Sequence, residues 1–325
     1  MDISPETWDM LGRYGGAGFA LGLGGLGAAI GMGMGAGQAN EGIMRQPTRQ
    51  GHLLRTMLIG QAVGGSPSIF ALVIGLLILF LPADSSASGP LYASALLGAG
   101  LSIGLGCFGS GLGCGWPAGA ACLGVARNPE RSTPITSSMI VGQAVAQSPS
   151  IFATVIALIL LFVPLQSAGI VGVSVAIGAG IAMGASALGP GIGSGATAGG
   201  AVAGLSAWPR SQAITVRSML IGQAVCQTPA IFGMLVAFIL LFTLQDIEQN
   251  VIGFAKTLGA AIAVGLGGIG PGIGCGMVGD TSCMATAVRP DHDALQLRVM
   301  LIGQAVSQST AIYSLIIALA LLFVV

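Results

Sequence analysis

The sequence has very little charge. Only 7% of its 325 residues are charged, and the mean hydropathy is +0.90. A soluble protein of this length needs far more surface charge, so the composition favours a membrane protein over a soluble bundle of buried helices. The formal net charge is zero, which argues against nucleic acid as a partner.

Residues that carry catalysis or bind metals are also scarce. The two histidines, His52 and His292, fall in predicted loops, and the six cysteines include no Cys-x-x-Cys pair. A zinc site is therefore not expected, and the cysteines are interpreted as small residues in tight helix contacts. The sequence contains no phosphate-binding loop and no catalytic triad. We therefore expect no active site, no metal and no cofactor.

The sequence contains one segment four times. The copies are TMLIGQAVGGSPSIF from Thr56, SMIVGQAVAQSPSIF from Ser138, SMLIGQAVCQTPAIF from Ser218 and VMLIGQAVSQSTAIY from Val299. The methionine of the segment recurs after 82, 80 and 81 residues. A fixed period of this length predicts tandem structural units. The predicted units are residues 1–84, 85–165, 166–247 and 248–325.

Each unit contains two long apolar stretches. A helix needs about 20 apolar residues to cross a bilayer, and all eight stretches reach that length. Because lipid cannot satisfy free backbone groups, we expect helices. The predicted fold is an all-α membrane protein with eight transmembrane helices, arranged as four tandem helical hairpins.

The basic residues are unevenly distributed. Nine of the eleven lie in the four short loops inside the units, whereas the connections between units contain no Arg or Lys. The positive-inside rule places the Arg-bearing loops in the cytoplasm or its equivalent, and both termini on the other side. The opening residues lack a basic segment before an apolar one, so they are not interpreted as a signal peptide. The expected location is a bacterial inner membrane or its organellar equivalent.

The first apolar stretch of each unit is rich in glycine. The glycine runs begin at Gly24, Gly106, Ala187 and Gly267, and they recur with the same period as the repeated segment. Glycine is unfavourable within a helix, so this density needs a packing reason. Small residues allow helix backbones to approach closely in lipid. The pattern therefore predicts a closely packed inner wall of glycine-rich helices.

A glycine-rich helix, a short polar loop and a second helix with GQAV together resemble the c subunit of rotary ATP synthases. The loop ARNPE at 126–130 and the triplet at 45–47 fit that family well, whereas the third and fourth loops fit less well. The resemblance implies a closed ring with glycine-rich helices inside, second helices outside and polar loops against a central stalk. The implied partners are copies of the chain or single-hairpin c subunits, stalk and stator subunits, and membrane lipids. The implied stalk-contacting residues are Arg45, Gln46, Pro47, Arg127, Asn128, Pro129, Arg210 and Arg289.

The chain departs from this family at the residue that carries ions. Members of the family have a carboxylate midway along the second helix, in a segment like GQAxxES, and that carboxylate binds H⁺ or Na⁺. The corresponding residues here are Gly65, Gln147, Gln227 and Gln308, and no acidic residue lies in the apolar part of a second helix. A carboxamide stays neutral, so a ring of this chain alone is not expected to pump. The first-helix residues opposite this position are expected to be Met32, Cys114, Ser194 and Cys275.

Two interpretations of the glutamines remain open. One is a degenerate ion site that still binds a cation weakly, with the help of Ser66, Ser148, Thr228 or Ser309; the resemblance adds Tyr313 as a ligand-orienting residue. The other, which we favour, is hydrogen bonding between helices. Proline follows closely in three units, so the second helix is expected to kink and to free carbonyl groups there. The glutamine amides are expected to cap those carbonyls.

Asp280 is the one acidic residue inside a glycine-rich stretch, and we interpret it as a hydrated residue near the membrane surface. Three functions follow as hypotheses: a rotor-ring subunit of a rotary ATP synthase or of a paralogous complex, a structural membrane ring or collar derived from such a ring, and a passive pore. The neutral first helices offer no charged selectivity ring, which makes the pore the weakest of the three.

Overall fold

The computed structural model describes residues 4–81, 89–164, 169–243 and 250–324. These residues form long helices joined by short connections. The α-helices are α1 (Pro5–Arg45), α2 (Gln50–Gly64), α3 (Ser66–Phe80), α4 (Pro90–Arg127), α5 (Ser132–Ala146), α6 (Ser148–Phe162), α7 (Gly169–Ala207), α8 (Gln212–Cys226), α9 (Thr228–Phe242), α10 (Val251–Val288) and α11 (Asp293–Phe323).

The helices pair into four hairpins, which we number along the chain. Hairpin 1 is α1 with α2 and α3, hairpin 2 is α4 with α5 and α6, hairpin 3 is α7 with α8 and α9, and hairpin 4 is α10 with α11. Among the described residues, eight helical segments are long and apolar enough to cross a membrane. The prediction of an all-α membrane protein with four tandem hairpins is thus confirmed. The predicted unit boundaries, at 84/85, 165/166 and 247/248, lie outside the described residues.

The first helices of the hairpins form a row in the order α1, α4, α7, α10. The residue numbers of contacting pairs increase together along neighbouring helices: Gly12 of α1 lies against Ala93 of α4, and Gly27 lies against Phe108. Neighbouring first helices are therefore parallel, and the polar turns of all four hairpins lie at the same end of the bundle.

The glycine residues allow this row to pack backbone against backbone. A β-carbon added to Gly113 would lie 2.1 Å from the carbonyl oxygen of Gly191, and one added to Gly193 would lie 2.0 Å from that of Gly272. Real β-carbons do not approach backbone atoms this closely, so no larger residue fits these positions without a shift of the helices. The inner wall expected from the glycine runs is confirmed for this chain.

The second helices lie on the outside of this row and expose apolar side chains. The isoleucine six residues after the GQAV segment is 45–58% exposed in every hairpin. Apolar side chains exposed at one register in all four copies form a surface suited to lipid contact. These isoleucines are Ile69, Ile151, Ile231 and Ile312.

The second helix is interrupted in three hairpins and continuous in the fourth. The interruptions fall at Gly65, Gln147 and Gln227, two residues before a proline in each case. Proline lacks the N–H that would bond to the carbonyl four residues earlier, so the helical ladder is broken there. In hairpin 4 the corresponding residue is Thr310, and α11 runs without a break. The second helix is thus divided in the three hairpins that carry this proline and continuous in the one that does not, although Pro117, Pro190 and Pro271 lie inside the unbroken helices α4, α7 and α10.

Arg13 connects the two limbs of hairpin 1 at the end opposite the polar turns. Its side chain is 12% exposed and pairs with Asp9 at 2.9 Å. It also donates to the carbonyl oxygens of Ile78, Leu79 and Leu81, where α3 ends. Cationic side chains satisfy the free carbonyls at the end of a helix in this way. The sequence pattern gave no sign of this role, because Arg13 lies outside the four Arg-bearing loops.

Candidate functional site

The residues at the family's carboxylate position lie midway along the second helices, each facing the preceding hairpin. Gln147, Gln227 and Gln308 are 8%, 9% and 7% exposed. Each of the three occupies the junction between two hairpins. Gly65 occupies the same position in hairpin 1, and the described residues include no hairpin on that side of it.

Each of these glutamines donates a hydrogen bond to the preceding second helix. Gln147 Nε2 lies 2.8 Å from the carbonyl oxygen of Val63. In the next two junctions, Gln227 donates to Val145 at 2.9 Å, and Gln308 donates to Val225. The same contact is therefore present at all three junctions within the chain.

The accepting carbonyls belong to the residues that proline deprives of a helical partner. Val63 lies four residues before Pro67, and the valines of the other two junctions lie four residues before Pro149 and Pro229. A helix would normally supply the N–H of the fourth following residue to such a carbonyl, but proline has none. The glutamine amide supplies the missing donor; the sequence led us to expect the capping, whereas its origin in the next hairpin is a finding of the structure.

A second glutamine, that of the GQAV segment, also connects hairpins. Gln143 Nε2 lies 3.0 Å from the carbonyl oxygen of Gly60 in hairpin 1 and 3.0 Å from that of Cys114 in its own first helix. Gln223 makes the matching bonds at 2.9 and 3.0 Å, and Gln304 at 3.1 and 3.0 Å. In the sequence this glutamine served only to define the repeat; its presence in every copy was the signal that could have revealed the role.

The hydroxyl residues beside the site donate within their own helices. Thr228 Oγ1 lies 3.0 Å from the carbonyl oxygen of Val225, and Ser309 Oγ lies 2.7 Å from that of Val306. Ser66 and Ser148 are half-buried, and Tyr313 is 62% exposed. Thr228 and Gln308 therefore share the Val225 carbonyl as acceptor, whereas Ser309 donates to a different carbonyl, that of Val306.

Two of the four first-helix residues expected opposite the site, Met32 and Cys114, lie close to it. Cys114 Sγ lies 3.7 Å from Gln147 Nε2, and a β-carbon on Gly65 would lie 3.4 Å from Met32 Sδ. Sulfur atoms therefore occupy the first-helix side of these two positions. A thioether or a buried thiol is a poor ligand for H⁺ or Na⁺ compared with a carboxylate or amide oxygen.

Asp280 lies in α10 and is half-buried. A β-carbon on Gly200 of hairpin 3 would lie 2.3 Å from Asp280 Oδ1, so the carboxyl group packs at the junction of hairpins 3 and 4. Asp280 is 28 residues before Gln308 in the chain and belongs to the half of α10 nearer the polar turn. Asp280 therefore does not belong to the set formed by Gly65, Gln147, Gln227 and Gln308.

The polar turns present their basic residues at one end of the bundle. The arginines at the ends of the first helices and in the turns, Arg45, Arg127, Arg210 and Arg289, are exposed, as are Gln46 and Pro47. Neighbouring turns are also linked, since Asn128 donates to the carbonyl of Ser206 and Arg217 pairs with Asp293 at 2.5 Å. A shallow groove between the first three turns is lined by Arg49, Asn128, Pro129, Glu130, Arg131 and Pro209.

Comparison with known proteins agrees with this architecture. The sequence model of the ATP synthase c-subunit family matches residues 15–78, 97–160, 177–240 and 258–321. Each match contains most of the first helix and most of the second helix of one hairpin. The four matches together include most of the chain.

Individual relatives match one hairpin length at a time. The ATP synthase c subunit of Petrotoga mobilis is 46% identical over 69 residues, which are 21% of this chain and 72% of that protein. The corresponding protein of Alkaliphilus oremlandii is 52% identical over 65 residues, or 20% of this chain and 73% of that protein. That of Thermotoga petrophila is 42% identical over 82 residues, or 25% of this chain and 96% of that protein. The chain therefore belongs to the ATP synthase c-subunit family, with four successive copies of the family's hairpin.

Proposed function

We propose that this chain is a rotor-ring subunit of a rotary ATP synthase or of a paralogous membrane complex, and that it does not itself translocate H⁺ or Na⁺. The observation that carries the proposal is the hydrogen bond of Gln147, Gln227 and Gln308 to the preceding hairpin. These bonds occupy the place at which the family carries its ion. The chain thus acts as a non-conducting segment of the rotor and has no catalytic role of its own.

The physical reason lies in the difference between a carboxylate and a carboxamide. A carboxylate is charged when it faces a basic stator residue and must be neutralised when it faces lipid, so ion exchange accompanies rotation. A carboxamide remains neutral in both settings. The N–H of the glutamine amide also donates to the carbonyl oxygen of a valine. Under this proposal the neutral amide therefore resembles a carboxylate that never releases its ion.

The polar turns provide the contact with the central stalk under this proposal. Arg45, Arg127, Arg210 and Arg289 project from one end of the bundle, where they can meet an acidic or polar partner surface. The positive-inside rule places this end in the cytoplasm, with both termini on the opposite side of the membrane. Copies of the chain or single-hairpin c subunits complete the ring, and lipid covers the outer helices.

The alternative is a structural membrane ring or collar, or a passive pore, that has lost transport altogether. The same hydrogen bonds are compatible with it, since amides fixed at all three junctions suit a structural ring as well as a rotor segment that does not conduct ions. What distinguishes the two is the set of proteins bound to the chain: a rotor segment requires stalk and stator subunits, whereas a collar does not.

Purification of the tagged chain from its native membrane tests the proposal. The rotor function predicts that stalk and stator subunits of an ATP synthase accompany the chain, and that a carbodiimide does not label the apolar part of its second helices. An Asp280→Asn variant controls for labelling at the half-buried carboxyl group of α10. Purification of the chain without any stalk or stator subunit would exclude the rotor function and leave the collar.

A further inference from the structure

Two cysteines face each other where hairpins 3 and 4 meet. Cys226 is the last residue of α8, and Cys275 lies within α10. Both side chains are fully buried, and both thiols are free. The two thiol groups are hydrogen-bonded to each other across the junction. The junction between these hairpins therefore contains two thiols in direct contact.

Gln304 of hairpin 4 fixes the position of both cysteines. Gln304 Nε2 lies 3.6 Å from Cys226 Sγ and 3.0 Å from the carbonyl oxygen of Cys275. Cys275 Sγ in turn lies 3.4 Å from the carbonyl oxygen of Gln304. On the side of hairpin 3, Thr197 Oγ1 lies 3.7 Å from Cys226 Sγ. These contacts confine the two sulfur atoms to one small polar region of the junction.

The corresponding positions of the other two junctions do not pair cysteines. They hold Gly64 and Cys114 between hairpins 1 and 2, and Ala146 and Ser194 between hairpins 2 and 3. All of these residues are small, as close packing of membrane helices requires. Glycine, alanine and serine thus satisfy the packing, and packing alone does not explain a thiol on both sides of the junction between hairpins 3 and 4.

The junction of hairpins 1 and 2 gives the distance between these two positions. A β-carbon added to Gly64 would lie 3.4 Å from the β-carbon of Cys114. The β-carbons of a disulfide are about 3.5–4.5 Å apart, so a small outward shift is enough to accommodate one. Cys226 and Cys275 occupy the same positions in the repeat, and their contact shows that the thiols point toward each other. A disulfide therefore fits this junction without rearrangement of the helices.

We propose that Cys226 and Cys275 form an oxidation site, at which hydrogen peroxide converts the two thiols into a disulfide that joins hairpins 3 and 4. The sulfur of one cysteine, having lost its proton, attacks peroxide; the O–O bond breaks, and the released hydroxide takes up that proton as water. The second thiol attacks the sulfenic acid so formed, the S–O bond breaks, and its proton leaves with the hydroxyl group as a second water. Two thiols are oxidised, and one peroxide is reduced to two waters.

Burial of the pair determines the class of oxidant. Exchange with a protein disulfide requires direct access to the attacking sulfur, which the two buried side chains do not offer. Hydrogen peroxide is small and uncharged, so it reaches sulfur atoms that a protein cannot. The second thiol lies beside the first and captures the sulfenic acid before further oxidation. The inference goes beyond the proposed function, because it holds whether the chain is a rotor segment or a structural collar.

Mapping of the cysteines in the membrane-embedded chain tests the site. Membranes are treated with hydrogen peroxide, or with dithiothreitol as the reduced reference, then denatured in a thiol-blocking maleimide, digested and analysed by mass spectrometry. We expect peroxide to give a linked peptide pair that contains Cys226 and Cys275 and has lost two hydrogen atoms, and the reduced membranes to lack this pair. Recovery of both cysteines as maleimide adducts after peroxide treatment would overturn the inference.

Gly64→Cys provides the matched control, because it places a thiol opposite Cys114 at the same position of another junction. Peroxide is expected to link positions 64 and 114 in this variant. Formation of that link without one between Cys226 and Cys275 would show that peroxide reaches this depth and that the natural pair does not react, which overturns the inference.

Thermal unfolding gives a measurement that does not depend on peptide masses. A disulfide restricts the unfolded chain, so the peroxide-treated chain is expected to unfold at a higher temperature than the reduced chain. Cys226→Ala and Cys275→Ser should each abolish this shift, and both should fold because Ala146 and Ser194 occupy the same positions at the neighbouring junction. Cys283→Ser, which changes another cysteine of α10, should retain it. A peroxide-dependent shift that persists in Cys226→Ala would contradict the assignment of the site.

Discussion

Gln147 Nε2 lies 2.8 Å from the carbonyl oxygen of Val63, the residue four positions before Pro67. This contact joins two features that the sequence presents separately: a proline that breaks a membrane helix and a neutral residue at the family's ion-binding position. The proline creates an unsatisfied acceptor in the apolar interior, and the next hairpin supplies the donor. The residue that the resemblance aligns with an ion-binding carboxylate thus forms a hydrogen bond between hairpins.

Replacement of Gln147 by leucine is expected to weaken the junction of hairpins 1 and 2. The lost bond costs about 0.6–2 kcal/mol, the range found for hydrogen bonds between membrane helices. The measurement is the free energy of unfolding in detergent or bicelles. The control is the same substitution in a Pro67→Ala variant, in which residue 67 regains a backbone N–H. Gln147→Leu should lower the free energy of unfolding clearly less in that variant. Equal costs in both backgrounds would show that Gln147 does not act through the Val63 carbonyl.

Gln143→Leu is expected to cost more than Gln61→Leu. Gln143 donates to carbonyls of two helices at 3.0 Å each, whereas the described contact of Gln61 is one bond to Met32 at 3.3 Å. Each such bond contributes about 0.6–2 kcal/mol, so the two losses in free energy of unfolding should differ by about that amount. Unfolding of the two variants under identical conditions provides the comparison, and a larger loss for Gln61→Leu in the isolated chain would contradict the assigned contacts.

Gly113→Ala is expected to disrupt the row of first helices. The added methyl would lie 2.1 Å from the carbonyl oxygen of Gly191, so α4 and α7 must separate. Overpacking of this kind costs about 1–3 kcal/mol, and loss of close helix contact adds to it. Gly25→Ala is the control, because an added methyl there would lie 3.9 Å from Leu21 Cδ1 of the same helix. Similar thermal stability of the two variants would be inconsistent with backbone-to-backbone packing.

Arg13→Met is expected to loosen hairpin 1 at the end of α3. The change removes the pair with Asp9 and the donors to the Ile78, Leu79 and Leu81 carbonyls. Hydrogen bonds to a charged group contribute about 1.5–3 kcal/mol, and the nearly buried side chain places the effect in that range. Amide hydrogen exchange at residues 78–81 should accelerate, while exchange at the matching end of α6 in hairpin 2 stays unchanged. Unaltered exchange in hairpin 1 would exclude a capping role for Arg13.

Much of the fold could be predicted from the sequence, because its causes are local and repeated. The 80–82-residue period, the apolar stretches and the glycine runs led to the hairpins and to the inner wall. The prolines of the second helices predicted the breaks there, and α11, which has Thr310 at that position, has none; the prolines inside α4, α7 and α10 produce no break. The capping by a glutamine was also accessible, since the second and third copies each contain a neutral donor two residues before a proline.

Other features depend on the order in which the hairpins pack, and the sequence of a single repeat does not reveal that order. Gln143 bonds to Gly60, 83 residues earlier in the chain, so its role appears only when the hairpins are placed side by side. Arg13 reaches the end of α3 across 65 or more residues for the same reason. The assignment of the polar turns to a stalk and of Tyr313 to an ion site still rests on resemblance and stays a prediction.

The central claim is that the glutamine positions do not carry ions, and ion flux tests it most directly. The assembly, purified and reconstituted in vesicles with an imposed membrane potential, is predicted to give no H⁺ or Na⁺ flux through this chain above that of empty vesicles. A potential-driven flux that is present with the natural sequence and lost in the Gln147→Leu variant would contradict the account.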